Sequence, residues 1–432
     1  MPDSNLPDSW LRCELGEVIK YGAGKAASPA EFDQDQWLLE LEDIESNTSK
    51  ILQRLTVGDR SPKSSKNKFK CGDVLYGKLR PYLNKVVIAD QEGLCTTEII
   101  PISPEELDGR YLFYWLKSSE FIAYVNSVSH GMRMPRLGTK QAKAAPVVLA
   151  PRAEQTRIAN KLDELLAQVD TIKARVDAIP GILKRFRQSV LAAAVSGRLT
   201  EEWRGVAEFG EKVSLGEIAC EIRYGTAKKC GYDLGKTAVI RIPNISDGAI
   251  DLSDCKSADF SDQEIQKLRL QAGDLLLIRS NGSLDLVGKA AIIDSAHEGC
   301  LYAGYLIRVR IANLDKVNPK YVLYVLLSPE MRTTIELKAR STSGVNNINS
   351  KELAALTFRL PSYEEQCLIV ERLESLLGLG NQILTQVDAG GLRVNNLTQS
   401  ILAKAFCGEL VPQDPDEEPA SVLLERIQGR RK

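Results

Sequence analysis

The sequence predicts an α+β chain laid out as globule, long helix, globule, long helix, with approximate two-fold symmetry and two helices that pair with each other. Three observations predict it. First, the stretch from Glu154 to Leu199 places Ile158, Leu162, Leu165, Val169, Ile172, Val176, Ile179, Leu183, Phe186 and Val190 at gaps alternating four and three. That heptad spacing puts one narrow apolar seam along a helix and asks for a partner helix. Second, the pattern returns 211 residues later without a gap, so that Gln155, Ile158, Leu162, Leu165 and Val176 meet Gln366, Ile369, Leu373, Leu376 and Val387. Third, the sequence upstream of each helix also recurs, and a period this long means a duplicated domain pair rather than a solenoid.

Taken in order, the first globule spans 1–150 and the second 208–361. Leu15-Gly16-Glu17 recurs as Leu215-Gly216-Glu217, and Ile19-Lys20-Tyr21-Gly22 as Ile222-Arg223-Tyr224-Gly225. Trp37 to Ile44 lines up with Ala238 to Ile245, and both read as strands. Gly72-Asp73-Val74-Leu75 matches Gly273-Asp274-Leu275-Leu276 as a turn entering a strand, with the glycines as turn residues. Tyr111 to Leu116 matches Tyr321 to Leu326 as a short helix. Between these anchors the two globules differ in loop length and residue type, which predicts one scaffold carrying two different surfaces.

The helical regions cover 151–207 and 362–432. A helix from about Glu154 to Val195 is roughly 60 Å long at 1.5 Å per residue. Pro180 predicts a bend, because proline removes a backbone donor and crowds the preceding turn. The predicted seam of the second helix is Ile369, Leu373, Leu376, Ile383 and Val387, where Gly380 and Gly390 weaken the helix and leave its continuity open. After Val411, prolines and acids predict a solvated turn, followed either by a short amphipathic helix from Ser421 to Gln428 docked near the N-terminus or by a frayed end.

Composition narrows the function classes. With 44% hydrophobic and 26% charged residues the 432-residue chain is of the globular kind, and a net charge of −1 excludes a uniformly basic coat. No apolar run reaches the length of a membrane span and MPDSNLPDSW carries no signal pattern, which predicts a cytoplasmic protein without membrane association. Nine scattered cysteines without a C-x-x-C pair suggest neither a disulfide framework nor a zinc site.

Basic character is local. Ser61 to Lys85 holds seven bases against Asp73 alone, and Phe121 to Ala153 holds no acid, whereas Glu31 to Glu45 holds seven acids and no base. In the second globule Arg332, Lys338, Arg340 and Lys351 face only Glu336 between Met331 and Lys351. Each globule therefore carries a basic loop, with Tyr82 beside Arg80 and Asn346 and Asn347 near Arg340. Such a loop is either a solvated surface or a nucleic-acid contact, since Arg pairs two-pronged with guanine, Asn with adenine, and Lys holds phosphate.

Catalytic patterns do not form. His130 and His297 have no metal-ligand or triad neighbour at useful spacing. Gly231 to Thr237 is one residue short of a phosphate loop, and Gly282 to Lys289 is one too long. Asn318-Pro319-Lys320-Tyr321 lacks the second proline of the amino-methyltransferase motif and reads as a helix-start turn.

GDVLYGKLRPYLNKV (Gly72 to Val86), GDLLLIRSNGSLDLVGK (Gly273 to Lys289), RFRQSVLAAAVSGRLTEEWR (Arg185 to Arg204) and QSILAKAFCGELVPQDPDEEPASVLLERI (Gln399 to Ile427) together resemble the DNA-specificity subunit of type I restriction-modification systems. The resemblance covers nearly the whole chain. It implies two target-recognition domains separated by an antiparallel pair of long helices. Each domain would read one half of a bipartite asymmetric site in double-stranded DNA, and the helices would set the spacing. It implies no catalysis by this chain. Two methyltransferase subunits would use S-adenosylmethionine to methylate adenine at N6, and two motor-nuclease subunits would use ATP and magnesium. The DNA contacts it implies are Lys78, Arg80, Tyr82, Lys85, Arg133 and Arg136 in the first domain. In the second they are Arg279, Asn281, Ser283, Arg340, Asn346 and Asn347. The residues alone also leave open a single-chain DNA methyltransferase, a coiled-coil scaffold and a bivalent transcription regulator.

Overall fold

The computed structural model describes residues 6–129, 134–246, 248–339 and 344–431, so Arg133 and Arg340 lie outside the described residues. The chain divides into two compact units, 1–177 with 389–432, and 178–388. Both mix helices with small sheets. Each unit contains the start of one long helix and the end of the other, because the helices Arg152–Val195 and Tyr363–Phe406 pass from one unit into the next. The second helix is unbroken across Gly380 and Gly390, which settles the continuity that the glycines left open.

In the first unit, strand Leu11–Glu14 pairs antiparallel with Pro146–Leu149 and ties the two ends of the globule together. Strand Val74–Gly77 lies between Val86–Ile88 and Ile99–Ile102, all antiparallel. It is buried along its whole length, which is why it reads as an unbroken apolar run instead of alternating. A second sheet orders Ala26–Ala27, Lys66–Phe69, Gly93–Cys95 and Leu38–Leu39. The helix Gly109–Leu116, where the sequence predicts one, buries Tyr111, Leu112 and Trp115.

The second unit repeats the plan. Glu211–Ser214 pairs with Thr357–Leu360, and Leu275–Ile278 lies between Ala290–Ile292 and Leu306–Ile311. Thr237–Ile240 lies between Lys256–Ala258 and Leu301–Tyr302. Asn318 accepts from the Lys320 amide at 3.0 Å and starts the helix Pro319–Leu327, the helix-start turn expected of that tetrapeptide. Gly72 and Gly273 both adopt φ of +88°, a turn conformation that a Cβ would strain.

The strands expected over Trp37 to Ile44 and Ala238 to Ile245 are shorter than that. Leu38–Leu39 and Thr237–Ile240 are followed by 3-10 turns at Leu41–Asp43 and Ile242–Asn244. Side-chain capping ends the strands: the Glu40 amide donates to the Asp43 carboxylate at 2.7 Å, and the Arg241 amide to Asn244 Oδ1 at 2.8 Å.

A buried glutamine locks the start of each long helix. Gln155 Oε1 accepts from the Asp108 amide at 3.0 Å while its Nε2 donates to the Ala150 carbonyl at 2.9 Å. Gln366 does the same with the Asn318 amide at 2.8 Å and the Pro361 carbonyl at 2.9 Å. In the first unit Ile158 and Leu162 share a core with Leu402 and Phe406, and a Cβ on Gly391 would meet Val176 at 3.9 Å. Later positions on one helix thus meet earlier positions on the other, an antiparallel arrangement. In the second unit Val190, Leu191 and Ala194 share a core with Ile369, Val370 and Leu373.

The seam itself is interrupted. Ile158, Leu162, Val169, Ile369 and Leu373 are buried and Leu165, Val176, Leu376 and Val387 partly so, but Ile172 and Ile383 are 43% and 44% exposed. The ends of each helix are covered by the cores of the globules, and the apolar residues of the middle turns are not fully covered.

The tail forms the helix Ala420–Gly429 and docks on the first unit, the former of the two expectations for it. Leu423 and Ile427 are buried in that core, the Ala420 amide donates to the Ser9 carbonyl at 2.9 Å, and Arg431 donates to the Gly16 and Glu17 carbonyls.

Candidate nucleic-acid interface

In each unit the segment leaving the central buried strand is met by a segment that follows two short helices, Gly109–Leu116 and Ser119–Ser129 in the first and Pro319–Leu327 and Pro329–Ala339 in the second. In the first unit the Arg80 amide donates to the Pro135 carbonyl at 2.8 Å and the Leu137 amide to the Lys78 carbonyl at 2.9 Å, so Leu79 bridges Arg136. In the second the Ile348 amide donates to the Arg279 carbonyl at 2.9 Å, and Ser280–Asn281 pairs with Asn346–Asn347. The two ladders correspond position by position: the Lys78 amide donates to the Glu98 carbonyl, and the Arg279 amide to the Tyr305 carbonyl, both at 2.9 Å. The fold therefore gathers Lys78, Arg80 and Arg136 on one scaffold and Arg279, Asn281, Asn346 and Asn347 on its repeat.

The side chains differ in how free they are. Arg80 is exposed and holds φ of +48° at the head of the turn Pro81–Leu83, with Asn84 at φ of +46° closing it. Non-glycine residues in this left-handed region are strained by roughly 1 kcal/mol each. Tyr82 is exposed on the same turn. Arg136 faces Glu98, with Nε to carboxylate distances of 3.1 and 3.3 Å. Lys85 is held by the backbone. Its ammonium donates to the Leu41 carbonyl at 2.7 Å, fastening the 3-10 turn to the strand and leaving the side chain half-buried.

In the second unit the Arg279 guanidinium lies 4.6 Å above the Tyr224 ring, and its Nε donates to Asn347 Oδ1 at 3.3 Å. Asn281 Oδ1 accepts from the Ser283 amide at 2.9 Å, and Asn346 Nδ2 donates to the Gly282 carbonyl at 3.0 Å. Each of the three asparagines already has one end of its amide committed. Two-pronged pairing with adenine requires that bond to be exchanged. Neither charge nor amide content points to Tyr224, although it occupies the repeat position of Tyr21. The signal was present in the duplicated Ile-basic-Tyr-Gly string, but the string does not show that one tyrosine is buried and the other forms a stacking platform.

Among the described residues no group of His, Cys, Asp and Glu is arranged to hold a metal ion, and no helix is long and apolar enough to cross a membrane.

A family model described as the type I restriction modification DNA specificity domain matches residues 7–180 and again 210–389. The chain is 38% identical over 343 residues to the EcoKI type I restriction enzyme specificity subunit of Escherichia coli K12, covering 76% of this chain and 74% of that protein. It is 30% identical over 465 residues to the EcoBI specificity subunit of Escherichia coli, covering 99% and 93%. In fold it is similar to the HsdS subunit of Thermoanaerobacter tengcongensis, with a TM-score of 0.63, 20% identity and 94% and 99% of the two chains covered.

Proposed function

This chain belongs to the family of type I restriction-modification DNA-specificity subunits, and we propose that its two units each read one half of a bipartite, asymmetric site in double-stranded DNA. As a member of that family it is the non-catalytic, DNA-binding component of a type I complex. The observation that carries the bipartite reading is the repeated ladder with unlike side chains. Lys78, Arg80 and Arg136 stand where the other unit has Arg279, Asn281 and Asn347. One scaffold presenting cations in one copy and mixed guanidinium and amide groups in the other suits two different half-sites. Tyr82, Arg133, Ser283, Arg340 and Asn346 belong to the same proposal, while Lys85 contributes by holding its turn.

The long helices set the distance between the half-sites and supply the surface for two methyltransferase subunits. What supports this is apolar area left uncovered on their middle turns, at Ile172, Ile182, Phe186, Leu379, Ile383 and Leu392. On this reading S-adenosylmethionine is bound by the methyltransferase subunits, which methylate adenine at N6, and ATP and magnesium by two motor-nuclease subunits. The complex works in the cytoplasm.

The test is modified-base sequencing of a methylation-free host carrying this chain with its methyltransferase subunit. N6-methyladenine at one gapped, asymmetric motif, absent without this chain, is the expected result. Arg136→Ala should relax one half of that motif and Arg279→Ala the other. Equal damage to both halves from either variant would rule out two independent readers.

A further inference from the structure

Beside its ladder the second unit carries an open cleft of about 640 Å³. Its lining includes Thr226, Lys228, Lys229, Arg241, Lys256 and Tyr305, and no acid. The cleft and the ladder share an edge, because Tyr305, 64% exposed, gives its carbonyl to the Arg279 amide. Lys229 is exposed and has no side-chain partner among the described residues. Lys228 donates to the Asp259 carbonyl at 2.6 Å and lies 4.9 Å over the Phe260 ring, while Lys256 lies 5.0 Å over the Tyr232 ring. These contacts position the ammonium groups, with Asp254 acting on Lys256 and Glu264 on Lys228 through space and not as ion pairs. Of these four cations, among the described residues, Arg241 alone forms an ion pair, with Asp254 at 3.2 Å, and its Nε is buried without a hydrogen-bond partner.

The corresponding place in the first unit carries acids where the cleft carries bases. The Thr96 amide donates to the Leu39 carbonyl as the Ala303 amide does to that of Ile240, and the Ile99 amide to Thr96 as the Leu306 amide does to Ala303. These bonds align Glu40 with Arg241, Glu42 with Pro243 and Glu98 with Tyr305. In the first unit Arg60 fills that place, paired with Glu40 at 2.9 Å, Glu42 at 3.2 Å and the buried Asp43 at 2.5 Å. What is an acidic patch neutralised from within in one copy is a cationic opening in the other.

We propose that the cleft lined by Lys228, Lys229, Arg241 and Lys256 holds the sugar-phosphate backbone of DNA next to the half-site read by Arg279, a grip that the first unit, with Glu40, Glu42 and Asp43 at the corresponding place, does not have. The proposal rests on the reading of the ladder as a DNA reader. Ammonium groups held on aromatic faces beside an exposed tyrosine suit a phosphodiester strand, since lysine binds phosphate as a point charge and carries no base information. The cleft therefore adds affinity and salt dependence without altering the motif.

The test uses the intact complex of this chain with its methyltransferase subunit and a duplex carrying the motif found by modified-base sequencing. Lys228→Ala combined with Lys229→Ala should leave the methylated motif unchanged. It should lower the slope of log affinity against log salt by about two, roughly one for each phosphate contact removed. Phosphate-ethylation interference should show extra sensitive phosphates at the half-site of the second unit only, and these should vanish in the double variant. The paired Lys→Arg variant should keep both slope and footprint. An unchanged slope and footprint in a folded, motif-specific complex would overturn the cleft proposal while leaving the reader intact, as would loss of the methyltransferase subunit without a change in slope. A motif that Arg279→Ala leaves unaltered would instead overturn the reading on which the cleft depends.

Discussion

Arg279 donates from Nε to Asn347 Oδ1 at 3.3 Å across the two-residue ladder that joins their segments. The bond orients the guanidinium above Tyr224 before any ligand arrives. Removing either partner should therefore affect recognition of the same half-site. Arg279→Ala should cost roughly 1 to 3 kcal/mol on that half and relax its sequence, and Asn347→Ala should cost less, by loss of orientation. Competition binding with duplexes altered in one half at a time measures both.

Gln155 and Gln366 are fully buried, and each satisfies one backbone amide and at least one carbonyl. A leucine of similar size at either position leaves those groups buried and unpaired, at about 1 to 3 kcal/mol for each group not reached by water. Gln155→Leu should destabilise the first unit and Gln366→Leu the second. Hydrogen exchange resolved by segment should locate each loss in its own unit, with the motif unchanged in whatever complex remains folded.

Leu423 is buried in the first core, although it lies near the end of the chain. Leu423→Ala should cost about 2 to 5 kcal/mol, the range for emptying a buried leucine site. Deleting 420–432 should expose the Leu15–Val18 turn as well. Thermal melting and exchange at Val18 check both outcomes, and a tail that only frays would leave Val18 protected.

Burial lowers the Lys117 ammonium from its ordinary 10.5 to about 8, against the opposing pull of Asp170. Its Nζ donates to Ser49 Oγ at 2.6 Å. A lysine depressed in the folded state binds fewer protons folded than unfolded over the interval between those two values. Its contribution to stability thus rises as pH increases from about 8 toward 10.5, and below 8 the charged form carries the full burial penalty. Lys117→Met should therefore stabilise the protein at pH 7, by on the order of 1 to 3 kcal/mol. That gain should shrink toward pH 10, in denaturant melts of the two proteins at both pH values.

Local pattern was enough to recognise the duplication, the long helices and the two turns at Gly72 and Gly273. Heptad spacing and turn chemistry act over a few residues, and the backbone conveys them without help from the rest of the chain. For the tail, local pattern left a docked helix over Ser421 to Gln428 and a frayed end both open, and the burial of Ala420, Leu423 and Ile427 in the first core decides for the helix. It overextended the strands after Trp37 and Ala238, because Asp43 and Asn244 cap them through bonds that hydropathy does not record. It also drew the helix seam through Ile172 and Ile383, since a period shows which face is apolar and not how far the partner reaches.

Which charged groups remain available was decided by tertiary structure alone. Lys85 and Lys78 look alike in the string GKLRPYLNK, yet one ammonium is bonded to Leu41, 44 positions away. Arg136 meets Glu98, while the matching carbonyl neighbour in the other unit belongs to Tyr305, opening a cationic cleft where the first unit has Glu40 and Glu42 around Arg60. The sequence by itself determined that two copies of one scaffold exist and that each carries basic loops. Only the tertiary structure decided what each copy presents, because a side chain's freedom depends on partners that strand register brings from tens of residues away.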